Sequence, residues 1–599
     1  MIFNRLIVGC LVLNFSLSAI AGDVELDNGF QVIYAHYRPA KWEREQFVEY
    51  ESELPNEGGL LYLYIKNVSD RQRSIRYWQY QNKDRTHWIQ NNLVAWDRTW
   101  FHSLEPGKVT IIEINGISND FAPGKPYRFT IVDSSWEPAM HHDATLLDDP
   151  LDISYIHVLP SMDELEVHLR HTGQEEIKFT DVSLQGLQVK NVTWRGQHLD
   201  GSGYAIARVK LSEPVDPSTL LIVRVDGLEN GAPRHVYAHR RAFADVFPIG
   251  TWGIDSNNYP FFARSQIDTG IRGGRSDDEF FGTNAAKFGL RAFVDVTNWP
   301  HNIDTLRDLS GHPAVLGWML GDEPDRFFHC QQVLTTNDAV QRLDSSKPTM
   351  TTLCRNTMFM EFAPIVDWPC MDHYCVTAPT SSIWEHEYGG RLEETGFYTR
   401  DLKYAAEPKP TIVWSQGIHK WSERPKRGTP TGEELSVQLV QNLGNGSKGI
   451  LWFTWRENVA RQYPDLLKRA VEWNRIMGAL RDDLLSSEPA DLVVSAPEKV
   501  DASTLLTWNK IIVCVSNLDY QINDEAYKFN DKRNVTVTLQ IPAWIKTKSA
   551  WLVSGNGATK LAMDRSSTEA SVTLPHLHDA AILVLQEEQP QVAANPQSQ

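Results

Sequence analysis

Two adjacent acidic residues, Asp322 and Glu323, are the residues in this sequence best suited to acid–base chemistry. They end an apolar segment that begins at His312, and Pro324 follows them directly. Carboxyl groups this close raise the proton affinity of at least one of the two. A carboxylic acid that stays protonated near neutral pH can donate its proton to a leaving group. The same pair is also typical of a helix N-terminus, where the helix dipole favours negative charge.

Further acidic, aromatic and polar residues follow other apolar segments in the same half of the chain. They are Trp252, Arg272, Asp295, Asp372, Tyr374, Trp414, Gln416, Trp455 and Glu457. Cleavage of a glycosidic bond needs a protonated acid and a second carboxylate. Aromatic faces pack against the apolar faces of sugar rings. The mixture therefore indicates a carbohydrate site, in which Asp372 and Glu457 are candidate partners of Glu323 and the other residues are candidate substrate contacts.

The elements that must position these residues are short strands alternating with helices between residues 246 and 482. This alternation is typical of βαβ units and a parallel sheet. The predicted strands cover residues 247–252, 269–273, 290–296, 315–320, 348–353, 368–372, 411–416 and 449–455. Eight units of this length predict a (β/α)8 TIM barrel, with a doubly wound open sheet as the alternative. In such barrels the active site lies at the C-terminal ends of the strands, which is where these candidate residues fall.

The remainder of the chain has the sequence pattern of β-sandwiches, in which short strands are separated by Gly and Pro turns. The predicted fold is a central barrel flanked by two N-terminal β-sandwiches and one C-terminal β-sandwich. The predicted boundaries are a signal peptide at 1–21, a sandwich at 22–145, an Ig-like sandwich at 150–240, the barrel at 246–482, a sandwich at 485–587 and a disordered tail at 588–599. The signal predicts a secreted or periplasmic protein.

The segment that ends in Glu323 resembles the strand-four motif of secreted (β/α)8-barrel glycoside hydrolases related to the clan of β-galactosidases and agarases. Its residues 317–324 read GWMLGDEP. The resemblance implies that Glu323 is the general acid/base, while Asp322 stands where the clan usually has Asn. The clan's nucleophile is a Glu that ends strand seven. Here that position holds Gln416, so the nucleophile does not carry over.

Several residues are candidates for the second catalytic group beside Glu323. Asp372 or Glu457 could supply the carboxylate from strands six or eight, and Glu385 or Glu387 could supply it from the loop after strand six. Alternatively, Asp322 beside Glu323 resembles the hexosaminidase arrangement, in which the substrate's own acetamido group attacks. In that arrangement Tyr374 would support the acetamido group.

Arg272 and Arg275 lie in a glycine-rich turn and could bind a sulfate or carboxylate in bidentate fashion. That role would make the substrate an anionic glycan, such as one of algal origin. Ordinary ion pairs with neighbouring acids are the alternative. The sequence leaves both open.

The composition excludes several classes of function. A net charge of −18 speaks against a nucleic-acid partner. No phosphate-binding loop, zinc-protease motif or serine elbow is present, and we predict no metal and no cofactor. Five cysteines follow the signal, and pairs such as Cys330–Cys354 could form disulfides. The sequence therefore predicts a glycoside hydrolase acting on a polysaccharide or oligosaccharide. The alternatives are a non-catalytic glycan-binding barrel and, less favoured, a polysaccharide lyase.

Overall fold

The computed structural model describes residues 29–40, 58–82, 94–116, 123–134, 138–254, 258–297, 300–376, 391–418, 429–455, 457–522 and 527–587. The predicted signal peptide and C-terminal tail lie outside these ranges. The chain divides into two compact units, one of residues 1–40 with 55–149 and one of residues 41–54 with 150–599. Within the described ranges, no helix has both the length and the apolar character that crossing a membrane requires.

The first unit contains two four-stranded antiparallel sheets that share one core. Residues from both sheets, such as Leu61, Ile112 and Phe129, are almost fully buried in it, so this unit is a β-sandwich. Its sheets have the strand orders β1-β2-β6-β4 and β5-β3-β7-β8. The strands are β1 Phe30–Pro39, β2 Gly59–Asn67, β3 Arg73–Asn82, β4 Val94–Thr99, β5 Ser103–Leu104, β6 Val109–Gly116, β7 Pro126–Asp133 and β8 Pro138–Thr145.

The second unit begins with another pair of antiparallel sheets. Their orders are β12-β14-β10-β9 and β13-β11-β15-β16. Arg170 pairs with Glu407 at 2.9 Å, which ties this sandwich to the barrel that follows. The strands are β9 Leu151–Val158, β10 Glu164–His171, β11 Ile177–Leu184, β12 Val189–Arg195, β13 His198–Leu199, β14 Gly203–Leu211, β15 Leu220–Glu229 and β16 Ala232–Arg241.

Eight parallel strands then close into a barrel in chain order. Apolar, β-branched and aromatic runs form them because barrel strands are covered on both faces. Each strand overlaps its predicted segment, so the predicted barrel is confirmed. The strands are β17 Ile249–Thr251, β18 Thr269–Arg272, β19 Arg291–Asp295, β20 Val315–Asp322, β21 Thr349–Leu353, β22 Trp368–Asp372, β23 Ile412–Ile418 and β24 Ile450–Trp455.

Helices connect the barrel strands. After β18 the helical turns begin with a π-turn at Phe280–Asn284, and Asp278 accepts the backbone N–H of Phe280 at 2.8 Å at its start. The α-helices are α1 Tyr259–Arg264, α2 Ala285–Phe288, α3 Ile303–Leu309, α4 Cys330–Leu343, α5 Phe359–Phe362, α6 Glu394–Ala406, α7 Gly432–Gly444, α8 Glu457–Ala460, α9 Pro464–Ala479 and α10 Arg481–Leu485.

The chain then returns to β-structure. Nine strands form one sheet of order β25-β27-β28-β35-β32-β33-β34-β31-β26, and β29 pairs with β30. Val513 of β28 and Val537 of β31 share one core, so the sheet folds over itself as a sandwich. The strands are β25 Glu488–Ala490, β26 Val493–Ser495, β27 Val500–Leu506, β28 Ile511–Asn517, β29 Tyr520–Ile522, β30 Tyr527–Phe529, β31 Lys532–Gln540, β32 Ser549–Ser554, β33 Gly557–Arg565, β34 Glu569–Leu577 and β35 Ala580–Gln586.

Candidate active site

Asp322 and Glu323 lie at the C-terminal mouth of the barrel. Asp322 is the last residue of β20, and the Glu323 N–H donates to the carbonyl of Thr352 on β21 at 2.9 Å. Glu323 has φ 48° and ψ 47°, a left-handed conformation that few non-glycine residues adopt. The turn Pro324–Arg326 follows at once. The chain therefore reverses at Glu323, where the side chain remains partly exposed.

Asp372 ends β22 and is the carboxyl group that the fold brings to Glu323. Oxygens of the two carboxyls lie within 4.8 Å of each other. Paired carboxyls in retaining glycosidases lie about 5–5.5 Å apart, and those in inverting enzymes about 6.5–9.5 Å apart. The observed spacing suits the first class, because it leaves no room for a water molecule and a sugar between the two groups.

Arg326 pairs directly with Glu323. Its Nη1 lies 2.7 Å from Glu323 Oε2 in an exposed hydrogen bond. Since burial and repulsion from Glu323 raise the pKa of Asp372, a single proton shared by the two carboxyls lies on Asp372.

The pKa values of Asp372 and Asp322 at this mouth are raised. Burial raises the pKa of Asp372 well above its ordinary value, and repulsion from Glu323 and Asp322 adds to the effect. The pKa of Asp322 is raised to about 6, first by restricted hydration and then by repulsion from Glu323 and Asp295. The Asp322 side chain still reaches solvent, which screens part of this repulsion. The carboxyl groups at this end of the barrel are therefore too close together for all of them to be ionised readily at the same time.

Asp325 and Cys354 belong to this site although sequence reasoning missed them. Asp325 Oδ2 accepts the backbone N–H groups of Cys354 at 2.9 Å and Arg355 at 2.7 Å, which fastens the turn after β20 to the end of β21. Burial raises the pKa of Asp325 to about 6. One feature of the sequence could have identified Asp325 as a site residue, because it directly follows Glu323 and Pro324.

Glu323, Cys354 and Asp372 together form a set that could hold a cation. One potential ligand atom of each lies within 4.8 Å of the others. Burial raises the pKa of the Cys354 thiol, so this sulfur is a neutral thiol in the absence of a metal. Without a metal ion, the two carboxyl groups of this set can donate and accept protons.

Tyr374 and Trp252 line the barrel interior beside the acids. Tyr374 stacks on Phe453 with ring centroids 5.2 Å apart, and burial raises its pKa well above the ordinary value. Trp252 meets Trp414 edge to face at 5.4 Å and keeps partial exposure. Of the three tryptophans predicted to contact substrate, Trp252 is the one with an accessible surface.

Three predicted substrate contacts are core residues instead. Trp414 is 1% exposed and its indole N–H donates to Thr352 Oγ1 at 2.9 Å, while Trp455 is 0% exposed. Gln416 is 1% exposed, and both ends of its amide bind the backbone of Val376. Residues this deeply buried cannot contact a sugar, so the prediction is corrected for these three.

Arg272 and Glu457 are engaged elsewhere. Arg272 Nη2 lies 2.7 Å from both carboxylate oxygens of Asp278, and its Nη1 donates to the carbonyl of Ile254. Glu457 pairs with Arg461 at 2.7 Å one turn along α8. The ion-pair alternative therefore describes Arg272, and Glu457 is paired with Arg461.

Asp295 ends β19 at the same mouth. Its Oδ1 accepts the backbone N–H of Thr297 at 2.8 Å, and its charge contributes to the raised pKa of Asp322. The fold thus brings Asp295, Asp322, Glu323 and Asp372 together at one end of the barrel. The loop candidates Glu385 and Glu387 lie outside the described residues.

Two exposed aromatic residues beside Glu323 were also missed. Phe327 is 70% exposed and Phe328 is 51% exposed, directly after the turn that holds Arg326. The guanidinium carbon of Arg326 lies 5.5 Å from the centre of the Phe327 ring. Exposed apolar rings that follow Glu323 by four and five residues are suited to stacking on a sugar.

The five cysteines within the described residues are all free thiols. The pairings that the sequence left open, including Cys330–Cys354, are therefore absent from this part of the chain. Four of the five are buried, and Cys354 is half-buried.

No protein-family model and no curated protein matches this chain. Among solved structures it is similar to a β-glucuronidase of Parabacteroides merdae, with 10% identity, 92% of this chain and 91% of that chain covered, and a TM-score of 0.27. It is also similar to a GH30 endoxylanase of Clostridium papyrosolvens C71, with 9% identity, 57% and 98% covered, and a TM-score of 0.36. A third similar structure is a β-D-glucuronidase of Dictyoglomus thermophilum, with 14% identity, 73% of this chain and 85% of that chain covered, and a TM-score of 0.26. At these values the likenesses carry no argument about activity, and the fold of this chain rests on its own strand pairing.

Proposed function

We propose that this protein is a glycoside hydrolase whose reacting carboxyl pair is Glu323 and Asp372. The observation that carries the proposal is the approach of the two carboxyls to within 4.8 Å at the C-terminal mouth of a parallel barrel. Such a pair supplies the proton and the carboxylate that cleavage of a glycosidic bond requires. The substrate is a polysaccharide or oligosaccharide.

The raised pKa of Asp372 divides the two roles. Burial and repulsion from Glu323 favour the protonated form of Asp372, so Asp372 protonates the bridging oxygen as the C–O bond breaks and Glu323 attacks the anomeric carbon. Water then attacks the glycosyl-enzyme, and Asp372 takes back a proton from that water. This division reverses the role that the sequence resemblance implies for Glu323. It predicts products that retain the anomeric configuration.

The test begins with wild-type protein on a panel of neutral, acidic and sulfated polysaccharides and aryl glycosides. Glu323→Gln should lower kcat/KM by at least about a thousandfold on every cleaved substrate. Asp372→Asn should do so on natural glycosides, yet keep much of the activity on aryl glycosides with good leaving groups, because these need no protonation. Proton NMR of the first product should show the retained anomer.

Glu457→Gln is the matched control, since Glu457 is a barrel-end glutamate paired only with Arg461 in the contacts described above. Its activity should stay within about twofold of wild type. The proposal fails if wild-type protein cleaves nothing on the panel, or if Glu323→Gln and Asp372→Asn both remain active. Products with an inverted anomeric configuration would show that no covalent intermediate forms. Glu323 and Asp372 would then act as general base and general acid.

A non-catalytic glycan-binding barrel is the second candidate. The observation that favours it is Gln416, which occupies the strand-seven position without a carboxylate and binds the backbone of Val376 through both ends of its amide. In that case wild-type protein would bind a polysaccharide in affinity electrophoresis and release no reducing ends. Cleavage by wild type excludes this candidate.

A further inference from the structure

A second cluster of metal-ligating side chains lies behind the proposed active site. His373 and Cys375 follow β22, and Glu394 begins α6. One ligand atom of each lies within 4.8 Å of the other two. Cys375 and Glu394 are both buried. This cluster shares no residue with the acids that surround Glu323.

His373 is the residue that indicates a missing ligand. Its Nε2 lies 3.2 Å from Glu394 Oε2, and the two side chains are only 10% and 6% exposed. That nitrogen nevertheless makes no hydrogen bond within the described ranges of the chain. A buried ring nitrogen without a hydrogen bond is costly, and a metal ion bound to this nitrogen would supply the missing partner.

We propose that His373, Cys375 and Glu394 bind one zinc ion that fastens the end of β22 to the start of α6. Zinc binds imidazole nitrogen and carboxylate oxygen at about 2.0–2.2 Å and thiolate sulfur at about 2.3 Å, in tetrahedral geometry. Two ligands at such distances lie about 3.4 Å apart. The 3.2 Å between His373 Nε2 and Glu394 Oε2 matches this edge of the tetrahedron.

The donor set selects the metal. Calcium and magnesium prefer oxygen ligands throughout, whereas a mixture of nitrogen, sulfur and oxygen suits zinc. A neutral imidazole, a thiolate and a carboxylate also balance the two positive charges of zinc. The cluster therefore becomes electrically neutral when it is occupied, which lowers the free-energy cost of burying it.

The position of the cluster indicates what a bound metal ion would stabilise. Asp372 and Tyr374 turn toward the barrel interior, where Asp372 meets Glu323 and Tyr374 packs on Phe453. His373 and Cys375 alternate with them and turn to the opposite side, where the His373 ring stacks on Tyr398 of α6 at 4.0 Å. A metal on that side would fix the segment that carries Asp372 without touching substrate.

Cobalt is the probe that tests the site, because a thiolate bound to cobalt gives a near-ultraviolet charge-transfer band. Full-length protein is stripped with a chelator and titrated with Co²⁺ alone, and Zn²⁺ is then added to displace the cobalt. We expect one thiolate-bound cobalt per chain. Cys375→Ser and Glu394→Gln should each weaken the binding at least tenfold, and removal of the metal from wild type should lower the thermal midpoint.

Cys514→Ser is the matched control, since Cys514 is a buried free thiol of the C-terminal sandwich. It should bind cobalt as wild type does. Cys354→Ser distinguishes the rival set at Glu323, and it should keep the band. The proposal is overturned if wild type shows no thiolate band, or if the band survives Cys375→Ser and disappears in Cys354→Ser. These readouts do not depend on glycosidase activity, so the metal site and the proposed function can fail separately.

Discussion

Gln416 holds Val376 through both ends of its side-chain amide. Its Oε1 accepts the Val376 N–H at 3.0 Å and its Nε2 donates to the Val376 carbonyl at 2.8 Å. Strand β23 thereby fixes the segment that follows Asp372. The amide is a structural clamp at the very position where the resemblance would place a nucleophilic glutamate.

Gln416→Glu should therefore destabilise the protein and should not raise activity. A glutamate loses the donated hydrogen bond and places a charge at a site that is 1% exposed. We expect a loss of about 2–3 kcal/mol in the free energy of unfolding, measured by chemical denaturation at neutral pH. Gln332→Glu, on the exposed face of α4, is the control and should change stability by less than about 0.5 kcal/mol. An increase in kcat for Gln416→Glu would show that this position can supply a nucleophile.

Glu361 should make stability depend on pH. Burial raises the pKa of Glu361 to about 7 in the folded protein, against an ordinary value of 4.5. Because the folded pKa is raised, the stabilisation is complete below pH 4.5 and is lost as pH rises through 7. Glu361→Gln should remove this loss and be more stable than wild type by about 2 kcal/mol at pH 8, with little gain at pH 4.5. Denaturation midpoints at both pH values test this, with exposed Glu213→Gln as the control. An equal gain at both pH values would argue against titration of Glu361.

Arg272 should act on stability rather than on substrate charge. Its Nη2 lies 2.7 Å from both carboxylate oxygens of Asp278, and its guanidinium carbon lies 5.1 Å from the centre of the Phe280 ring. Arg272→Ala should cost about 2 kcal/mol of unfolding free energy. Arg275→Ala should cost almost nothing, because that side chain is 74% exposed. A selective loss of binding to sulfated or uronic polysaccharides in Arg272→Ala, with stability intact, would restore the anion-binding interpretation.

Phe327 and Phe328 should set the affinity for extended substrates. Rings that are 70% and 51% exposed beside Glu323 offer stacking surfaces for sugars beyond the cleaved bond. Replacing both by Ala should raise KM for a polysaccharide about tenfold and leave KM for a small aryl glycoside within about twofold. Leu343→Ala, a 39% exposed residue of α4, is the control. Equal effects on both substrates would place the rings outside the substrate path.

The sequence predicted the barrel strands well because strands covered on both faces appear as continuous apolar runs. It also placed Asp322, Glu323 and Asp372 at strand ends, where the structure brings them together. Burial was harder to predict. Whether Trp414 or Trp455 contacts substrate depends on how deep the side chain lies in the barrel, which spacing along the chain does not encode. Asp325 and Cys354 were missed because their contact joins loops 29 residues apart.

The left-handed backbone at Glu323 means that the protein carries its proposed nucleophile where glycine would fit with less strain. A glycine at this position would relax the turn, and it would also remove one charge from a crowded group of acids. Glu323→Gly should therefore unfold at a higher temperature than the wild type while losing activity. On this view the backbone is strained at the residue that the proposed function makes the nucleophile, so stability and activity oppose each other at this position.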